Sequence, residues 1–260
     1  MYDVTINIVA YKNYDDIIVA IDSLDKYTSS SIKKKLYVID NSELNDSDPS
    51  KIDFMNKIND YGFVEYIDTK KNLGFGKGHN YNIDKLDSRY HIIMNPDIIL
   101  TEDSLSVLID FMSDKRIGMC VPKLVDTEGN MQLVYRRELT VFDLFVRMFC
   151  KNMFEKRYKY HTMQNRDYSK PFIVPFAQGS FLFVRTQLYK QIGGFDDRFF
   201  MYMEDADLCK RINNESKLVY CPYTSVIHKW EKGSHKNIKL LKIHIQSMIS
   251  YFNKWGWKLS

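Results

Sequence analysis

The feature that most constrains this chain is the alternation of strand-like and helix-like patterns through residues 1–125. Residues 4–10 form an apolar run suited to a buried strand. Ile17, Ala20, Ile21 and Leu24 then fall at the i, i+3, i+4, i+7 spacing of an amphipathic helix. A second apolar strand at 36–40 ends in the carboxylate of Asp40. A polar stretch (41–50), a helix around 52–58 and a third strand at 64–67 follow. Residues 76–86 read as helical and 90–94 as a fourth strand. Thr101 reads as an N-cap, with Glu102 and Asp103 in a first turn that favours anions, on a helix running to about residue 114; residues 118–122 return to the sheet. Strands separated by helices imply a mostly parallel sheet with right-handed crossovers. The expected fold class is therefore α/β, and in such sheets ligands sit at the carboxyl ends of the strands, where Asp40, Asn72 and Asp97 fall.

The second half has a different texture. Residues 136–159 are rich in aromatic and basic side chains and read as a helix with a mobile connection. Residues 173–184 are strand-like around Gly179, and Gly193 and Gly194 mark a turn. Residues 205–213 read as helical, and 218–221 and 225–228 as two short strands. No linker or repeat divides the halves, so residues 1–260 are expected to form one domain. Its parts are 1–125, 126–235 and a basic amphipathic C-terminal helix at 236–260.

Composition excludes several classes. With 260 residues, 45% hydrophobic and 27% charged, the chain can bury a sizeable core, which a disordered chain cannot. Lys and Arg number 37 against 33 Asp and Glu, a balance too mild to indicate a nucleic-acid partner, and none is expected. Four scattered cysteines without a CxxC pair argue against a disulfide framework or structural zinc. The N-terminal run is too short and acidic for a signal peptide, and no apolar run reaches the roughly 20 residues of a spanning helix. A cytoplasmic chain is expected, at the inner face of the cell membrane if it touches lipid.

Four segments carry chemistry. Gly74, Gly76 and Gly78 alternate after Asn72, between a strand and a helix, where glycine lets a ligand approach the backbone and the helix N-terminus attracts phosphate. Asn95, Pro96 and Asp97 follow a strand directly, where a carboxylate can hold Mg²⁺ or Mn²⁺ against a diphosphate. Glu204, Asp205 and Asp207 share a loop-to-helix junction beside Phe199, Phe200 and Tyr202; a carboxylate near apolar rings suits general-base work, and flat rings suit sugar faces. His228 follows a strand and precedes a Lys- and Trp-containing loop. Taken singly, each segment also has a bland reading as a turn, a cap or a surface residue.

In this order and spacing, over roughly residues 3–235, the motifs resemble the family 2 glycosyltransferases of GT-A fold, in particular the bacterial rhamnosyltransferase-like branch. The segments that carry the resemblance are 9–11, 38–41, 72–76, Asn95–Pro96–Asp97, 193–211 and His228 with Ser234. The resemblance implies a nucleotide-sugar-binding first half and an acceptor and catalytic second half. Ala10, Tyr11 and Asp40 would hold a pyrimidine base, and Asn72, Gly74 and Phe75 would line the nucleoside pocket. Asn95 would face the ribose or sugar. Asp97 would bind a divalent cation (Mn²⁺ or Mg²⁺), with His228 at the metal or the diphosphate. Asp205 matches the general base of an inverting reaction, and Glu204, Tyr202 and Gly179 would meet the acceptor. Asn95 stands where many members carry Asp, leaving fewer charged ligands. The implied activity transfers a sugar, best rhamnose from dTDP-rhamnose, to a saccharide acceptor linked to a polyprenyl diphosphate, in bacterial surface polysaccharide synthesis; UDP-hexoses are the alternative donors.

Two other functions compete. A sugar-nucleotide nucleotidyltransferase would need a basic glycine-rich loop near the N-terminus, and the first 20 residues contain no glycine. A non-catalytic relative would be expected to have lost the carboxylates that this chain retains. At the C-terminus, Lys232, His235, Lys236, Lys239, Lys242, Lys254 and Lys258 accompany an apolar stripe of Ile238, Leu241, Ile245, Met248 and Phe252, followed by Trp255 and Trp257. One reading packs this helix on the domain. The other lays it at an anionic membrane with its Trp at headgroup depth, and Phe142, Phe145, Arg147 and Phe149 of the 136–159 stretch either extend that surface or cover the acceptor cleft.

Overall fold

The computed structural model describes residues 1–150, 152–229 and 238–260, with the side chains of Phe149 and Lys239 also outside the description. The first half builds β1 (Tyr2–Ala10), α1 (Tyr14–Tyr27), β2 (Lys34–Asp40), α2 (Pro49–Ile58), β3 (Val64–Asp68), α3 (Phe75–Asn80) and β4 (Ser88–Met94). A two-residue β5 (Ile98–Ile99), α4 (Ser104–Phe111) and β6 (Ile117–Val125) complete it. The second half contributes β7 (Tyr135–Arg136), α5 (Val141–Phe145), α6 (Glu155–His161), β8 (Phe172–Ile173), β9 (Phe176–Ala177) and β10 (Phe181–Arg185). It ends with α7 (Thr186–Gln191), α8 (Glu204–Glu215), β11 (Lys217–His228) and α9 (Ile238–Trp255).

The main sheet runs β3-β2-β1-β4-β10-β6-β11-β5, with β8 also on β11, and β7 and β9 form a separate ribbon. The β3, β2, β1 and β4 pairings are parallel, as is β6 with β11, whereas β10 runs antiparallel between β4 and β6. The central strands are apolar on both faces because helices cover both. Ile6, Ile8, Val38, Ile39, Ile92 and Ile93 are fully buried, each contributing about 1.5–3 kcal/mol.

Several local expectations change, each for a physical reason. Asp103, rather than Thr101, caps α4 by accepting from Ser106 N, while Glu102 reaches away to Thr224 Oγ1 and Ser225 N at 2.8 Å. The expected helix over 76–86 stops at Asn80. Its side chain is taken by the second half, donating to Phe195 O and accepting from Phe195 N and Tyr189 Oη. Residues 136–159 are not one helix: they open as β7, make α5 and a wide turn over Val146–Cys150, and restart as α6. The run at 173–184 divides among β8, β9 and β10, and the two short strands at 218–228 are one strand with an irregularity between Cys221 and Ser225.

The C-terminal helix divides its own stripe. Phe252 and Tyr251 are buried and Met248 half-buried, whereas Ile238, Leu241, Ile245 and Ile249 face outward. Trp255, expected at headgroup depth, instead turns inward and donates Nε1 to Asp207 Oδ1 at 2.8 Å. Arg147, expected on the same outer surface or over the acceptor cleft, is only partly exposed. Lys232, Ser234, His235 and Lys236 lie outside the described residues.

Candidate active site

At the carboxyl edge of the sheet, three strand-end segments converge. Asn41 N donates to Ala10 O at 2.9 Å, locking the ends of β1 and β2 together, and Lys12 N donates to Ser42 Oγ at 2.9 Å. Tyr11 is half exposed, and Lys12 holds a left-handed φ of 61°, a strained turn for a non-glycine residue. Asp40, 2% exposed, accepts from Ser42 N at 2.9 Å on Oδ1 and from Tyr14 and Tyr66 hydroxyls at 2.6 and 2.5 Å on Oδ2. Burial and the Asp40 charge push the Tyr14 phenol up to about 12, so it remains a donor. Asp40 thus organises the two phenols and the turn at Ser42 with its carboxylate oxygens.

The glycine loop is fixed from both sides. Asn72 Oδ1 accepts from Gly74 N, and Gly74 O accepts from Asn41 Nδ2, both at 2.9 Å. Gly74 has φ 79°, and a Cβ there would lie 2.2 Å from Phe200 O, so glycine is required. Phe75 N donates to Phe200 O at 3.0 Å, which seats the loop on the aromatic segment preceding α8.

Asp97 and His228, 131 positions apart, meet because β5 pairs antiparallel with β11 and sets His228 opposite Ile98. His228 Nε2 lies 3.4 Å from Asp97 Oδ2, while Asp97 Oδ1 is buried with no hydrogen-bond partner among the described residues. Gln132 grips His228 at two points, donating Nε2 to its carbonyl at 2.8 Å and presenting Oε1 to Nδ1 at 2.9 Å. That places the ring proton on Nδ1, the arrangement a metal-ligating imidazole needs at Nε2. Burial pulls the His228 pKa down, against the opposing pull of Asp97, which favours the neutral ring. An orphaned carboxylate oxygen beside a neutral imidazole fits a divalent cation of Mn²⁺ or Mg²⁺ type. Among the described residues no third His, Cys, Asp or Glu joins them, so a diphosphate and water would complete the shell.

The three acidic residues at the start of α8 separate in role. Asp205 Oδ2 accepts from Gly179 N at 3.1 Å and Oδ1 from Ala206 N at 2.8 Å. Its pKa is raised by burial, opposed by those N–H donors and by Arg136 and Arg147. Glu204, 6% exposed, lies beneath it with Oε2 unpartnered among the described residues. Burial and then the Asp205 charge raise its pKa well above the usual range, which favours the protonated carboxyl at Glu204. Asp207, fully buried, is structural: Arg211 Nε, Lys254 Nζ and Trp255 Nε1 all bind it within 2.8 Å. Tyr202 and Met203 precede the helix at φ 69° and 67°, the strained turn that aims Asp205 inward, and the Tyr202 ring packs on His244 at 4.7 Å.

The segment 179–180 joins the two centres. Gly179 binds Asp205, and Ser180 O accepts Asn95 N at 2.8 Å. A Cβ on Gly179 would stand 3.2 Å from Asp205 Cβ and 3.4 Å from Phe75 Cε1, so the glycine loop and Asp205 meet at this residue. Sequence reasoning singled out the residues at strand ends and at the α8 junction. It did not mark Gln132 or Ser180, which no local motif singles out.

Against known proteins, residues 5–193 match the model of the family described as "Glycosyl transferase family 2". The chain is 29% identical over 189 residues to rhamnosyltransferase WbbL of Escherichia coli K12, spanning 68% of this chain and 70% of that protein. It is 30% identical over 186 residues to the N-acetylglucosaminyl-diphospho-decaprenol L-rhamnosyltransferase of Mycobacterium tuberculosis, but that match spans 59% of the relative's length. Among solved structures, GalNAc-T7 with UDP, GalNAc and Mn²⁺ superposes with TM-score 0.68 over 91% of this chain and 45% of that one, at 17% identity. The Pyrobaculum calidifontis mannosyltransferase with GDP-Man and Mn²⁺ gives 0.67 over 98% of this chain and 66% of that one, at 13% identity. Both neighbours have the GT-A fold. The chain belongs to glycosyl transferase family 2.

Proposed function

We propose that this chain is an inverting transferase that moves rhamnose from dTDP-rhamnose to a saccharide acceptor carried on a lipid diphosphate. The observation that carries the reading is the backbone bridge at 179–180, which fixes Asp205 relative to the Asn95–Asp97 turn. The donor sugar and acceptor class are supported by the names of the Escherichia coli and mycobacterial relatives. A hexose donor is the second reading, supported by a Haloferax volcanii hexosyltransferase 23% identical over 87% of this chain.

The chain's own groups would act as follows. Tyr11, Asp40, Asn72 and the Gly74–Phe75 backbone position the nucleoside, and Asn95 faces the ribose or the sugar. Asp97 and His228 hold the diphosphate end, where a bound Mn²⁺ or Mg²⁺ supplies positive charge for the leaving group. Asp205 accepts the proton of the acceptor hydroxyl as that oxygen attacks the anomeric carbon from the face opposite the diphosphate, inverting its configuration. Gly179 N–H holds the carboxylate still, and Tyr202 offers a ring face to the acceptor sugar.

The outer face of α9 supports peripheral membrane contact. Ile238, Leu241, Ile245 and Ile249 recur at helical spacing, all exposed, with Lys242 beside them. No helix among the described residues is long and apolar enough to cross a membrane. Flotation with anionic vesicles should carry the protein upward, and a Leu241→Glu, Ile245→Glu variant should remain below.

The deciding experiment is calorimetry of UDP- and dTDP-sugars with Mn²⁺, Mg²⁺ or EDTA, on the natural chain and on Asp97→Ala. Cation-dependent binding of dTDP-rhamnose, lost in the variant, is expected. Binding of UDP-hexoses alone would select the second reading, and binding of no nucleotide-sugar would overturn both.

A further inference from the structure

We propose that Arg136 and Arg147 form an anion site beside Asp205 that takes the diphosphate of the lipid-linked acceptor, an inference that rests on the transferase reading above. Arg136 reaches this position through the β7–β9 ribbon, where it pairs with Phe176, three residues before the Gly179 that binds Asp205. Its guanidinium lies over the Phe176 ring at 5.3 Å, and its Nε is buried with no hydrogen-bond partner among the described residues. Arg147 comes from the wide turn after α5, and its charge acts on Arg136.

The local charge balance is incomplete. Among the described residues no carboxylate lies within the 4.0 Å of an ion pair with either arginine. Asp143, on the preceding helix, is already taken by Arg157 Nε at 2.6 Å and Nη2 at 3.0 Å and by Thr140. Asp205 is the carboxylate whose charge reaches both, one negative charge against two positive. Two partly buried guanidiniums with one shared counter-charge favour an anion between them, and the guanidinium fork matches phosphate oxygens.

Placement selects the acceptor's diphosphate over the donor's. The arginines interact with Asp205, which takes the acceptor proton, whereas the donor's diphosphate belongs at Asp97 and His228. In a sugar linked to diphosphate, one ring separates the attacking hydroxyl from the phosphate, so a group at Asp205 presents its diphosphate to groups beside Asp205. Arg137 N donates to His161 O at 2.9 Å and the Tyr202 ring packs on His244 at 4.7 Å, so α6 and α9 flank this region, and both histidines feel the two arginine charges. The outer face of α9 is the apolar row already described, an exit suited to the lipid chain.

The test compares two acceptors, N-acetylglucosaminyl diphosphate bearing a short alkyl chain and the octyl glycoside of N-acetylglucosamine, on the natural chain, Arg147→Gln and Arg136→Lys. Melting curves would verify folding, and dTDP and UDP titrations would report the donor site. The natural chain should prefer the diphosphate acceptor in kcat/KM. Each variant should reduce that preference roughly tenfold or more, chiefly through KM, with nucleoside diphosphate affinity retained. An unchanged preference, or an equal kcat loss with both acceptors, would overturn the site, the latter assigning the arginines to Asp205 alone. Weakened dTDP or UDP binding would place them at the donor diphosphate instead. Absence of nucleotide-sugar binding in the natural chain would sink the transferase reading itself. Inorganic pyrophosphate that inhibits as well as the alkyl diphosphate would show that the site reads the free anion rather than the lipid-linked one.

Discussion

Gly179 donates its backbone N–H to Asp205 Oδ2 at 3.1 Å, and its neighbour Ser180 accepts the N–H of Asn95 at 2.8 Å. One dipeptide at the start of β10 therefore ties the carboxylate on α8 to the turn that carries Asp97. The antiparallel insertion of β10 between β4 and β6 makes this link possible.

Asp205→Asn should lower transfer by roughly 10²–10⁴-fold while leaving donor affinity nearly intact, because the amide keeps the shape but cannot take a proton. Nucleoside diphosphate release and calorimetry would measure the two. Burial raises the Asp205 pKa and the base must be ionised, so kcat/KM should fall with acid at a higher pH than an unperturbed aspartate would give. Normal turnover by the variant would remove the base assignment.

Gly179→Ala should impair turnover more than binding. The new Cβ would press on Asp205 and Phe75 at 3.2 and 3.4 Å, and a displacement approaching 1 Å at a catalytic group costs up to roughly 100-fold. An unchanged kcat would show that the contact relaxes elsewhere.

Asp207→Ala should act on stability. It leaves Arg211, Lys254 and Trp255 without their common partner, at a cost of about 3–5 kcal/mol. Denaturant unfolding should show that loss, and a melting point equal to the natural chain's would refute the structural role.

Gln132→Leu should weaken cation affinity roughly 10–100-fold, since it frees the His228 ring and its tautomer. Mn²⁺ titration of donor binding would report it. An unaltered titration would mean that the imidazole needs no such support.

Glu204→Gln should change how stability depends on pH. The folded pKa of Glu204 lies above its unfolded value, so its favourable contribution is complete below the unfolded pKa and fades as pH rises through the folded one. The Gln variant should lack that decline and be relatively more stable at alkaline pH. Parallel unfolding curves across pH would contradict the buried, protonated carboxyl.

The sequence by itself determined the strand–helix alternation of the first half, because burial on both faces of a parallel strand writes continuous apolar runs such as those around Ile6, Val38 and Ile92. Strand-end chemistry was legible for the same reason: Asp40, Asn72 and Asp97 had to emerge at one edge. Tertiary structure decided what no local pattern encodes. The register of β5 on β11 brought His228 to Asp97, and Gln132 became its support. Asp205 and Asp207, two positions apart, diverged because one meets backbone N–H groups and the other three side chains that arrive partly from α9. Arg136 comes to Phe176, near Gly179, only through a two-residue ribbon too short to leave a periodic signal. Periodicity reports which face of an element is buried, and the contacts that make a site depend on which elements meet there.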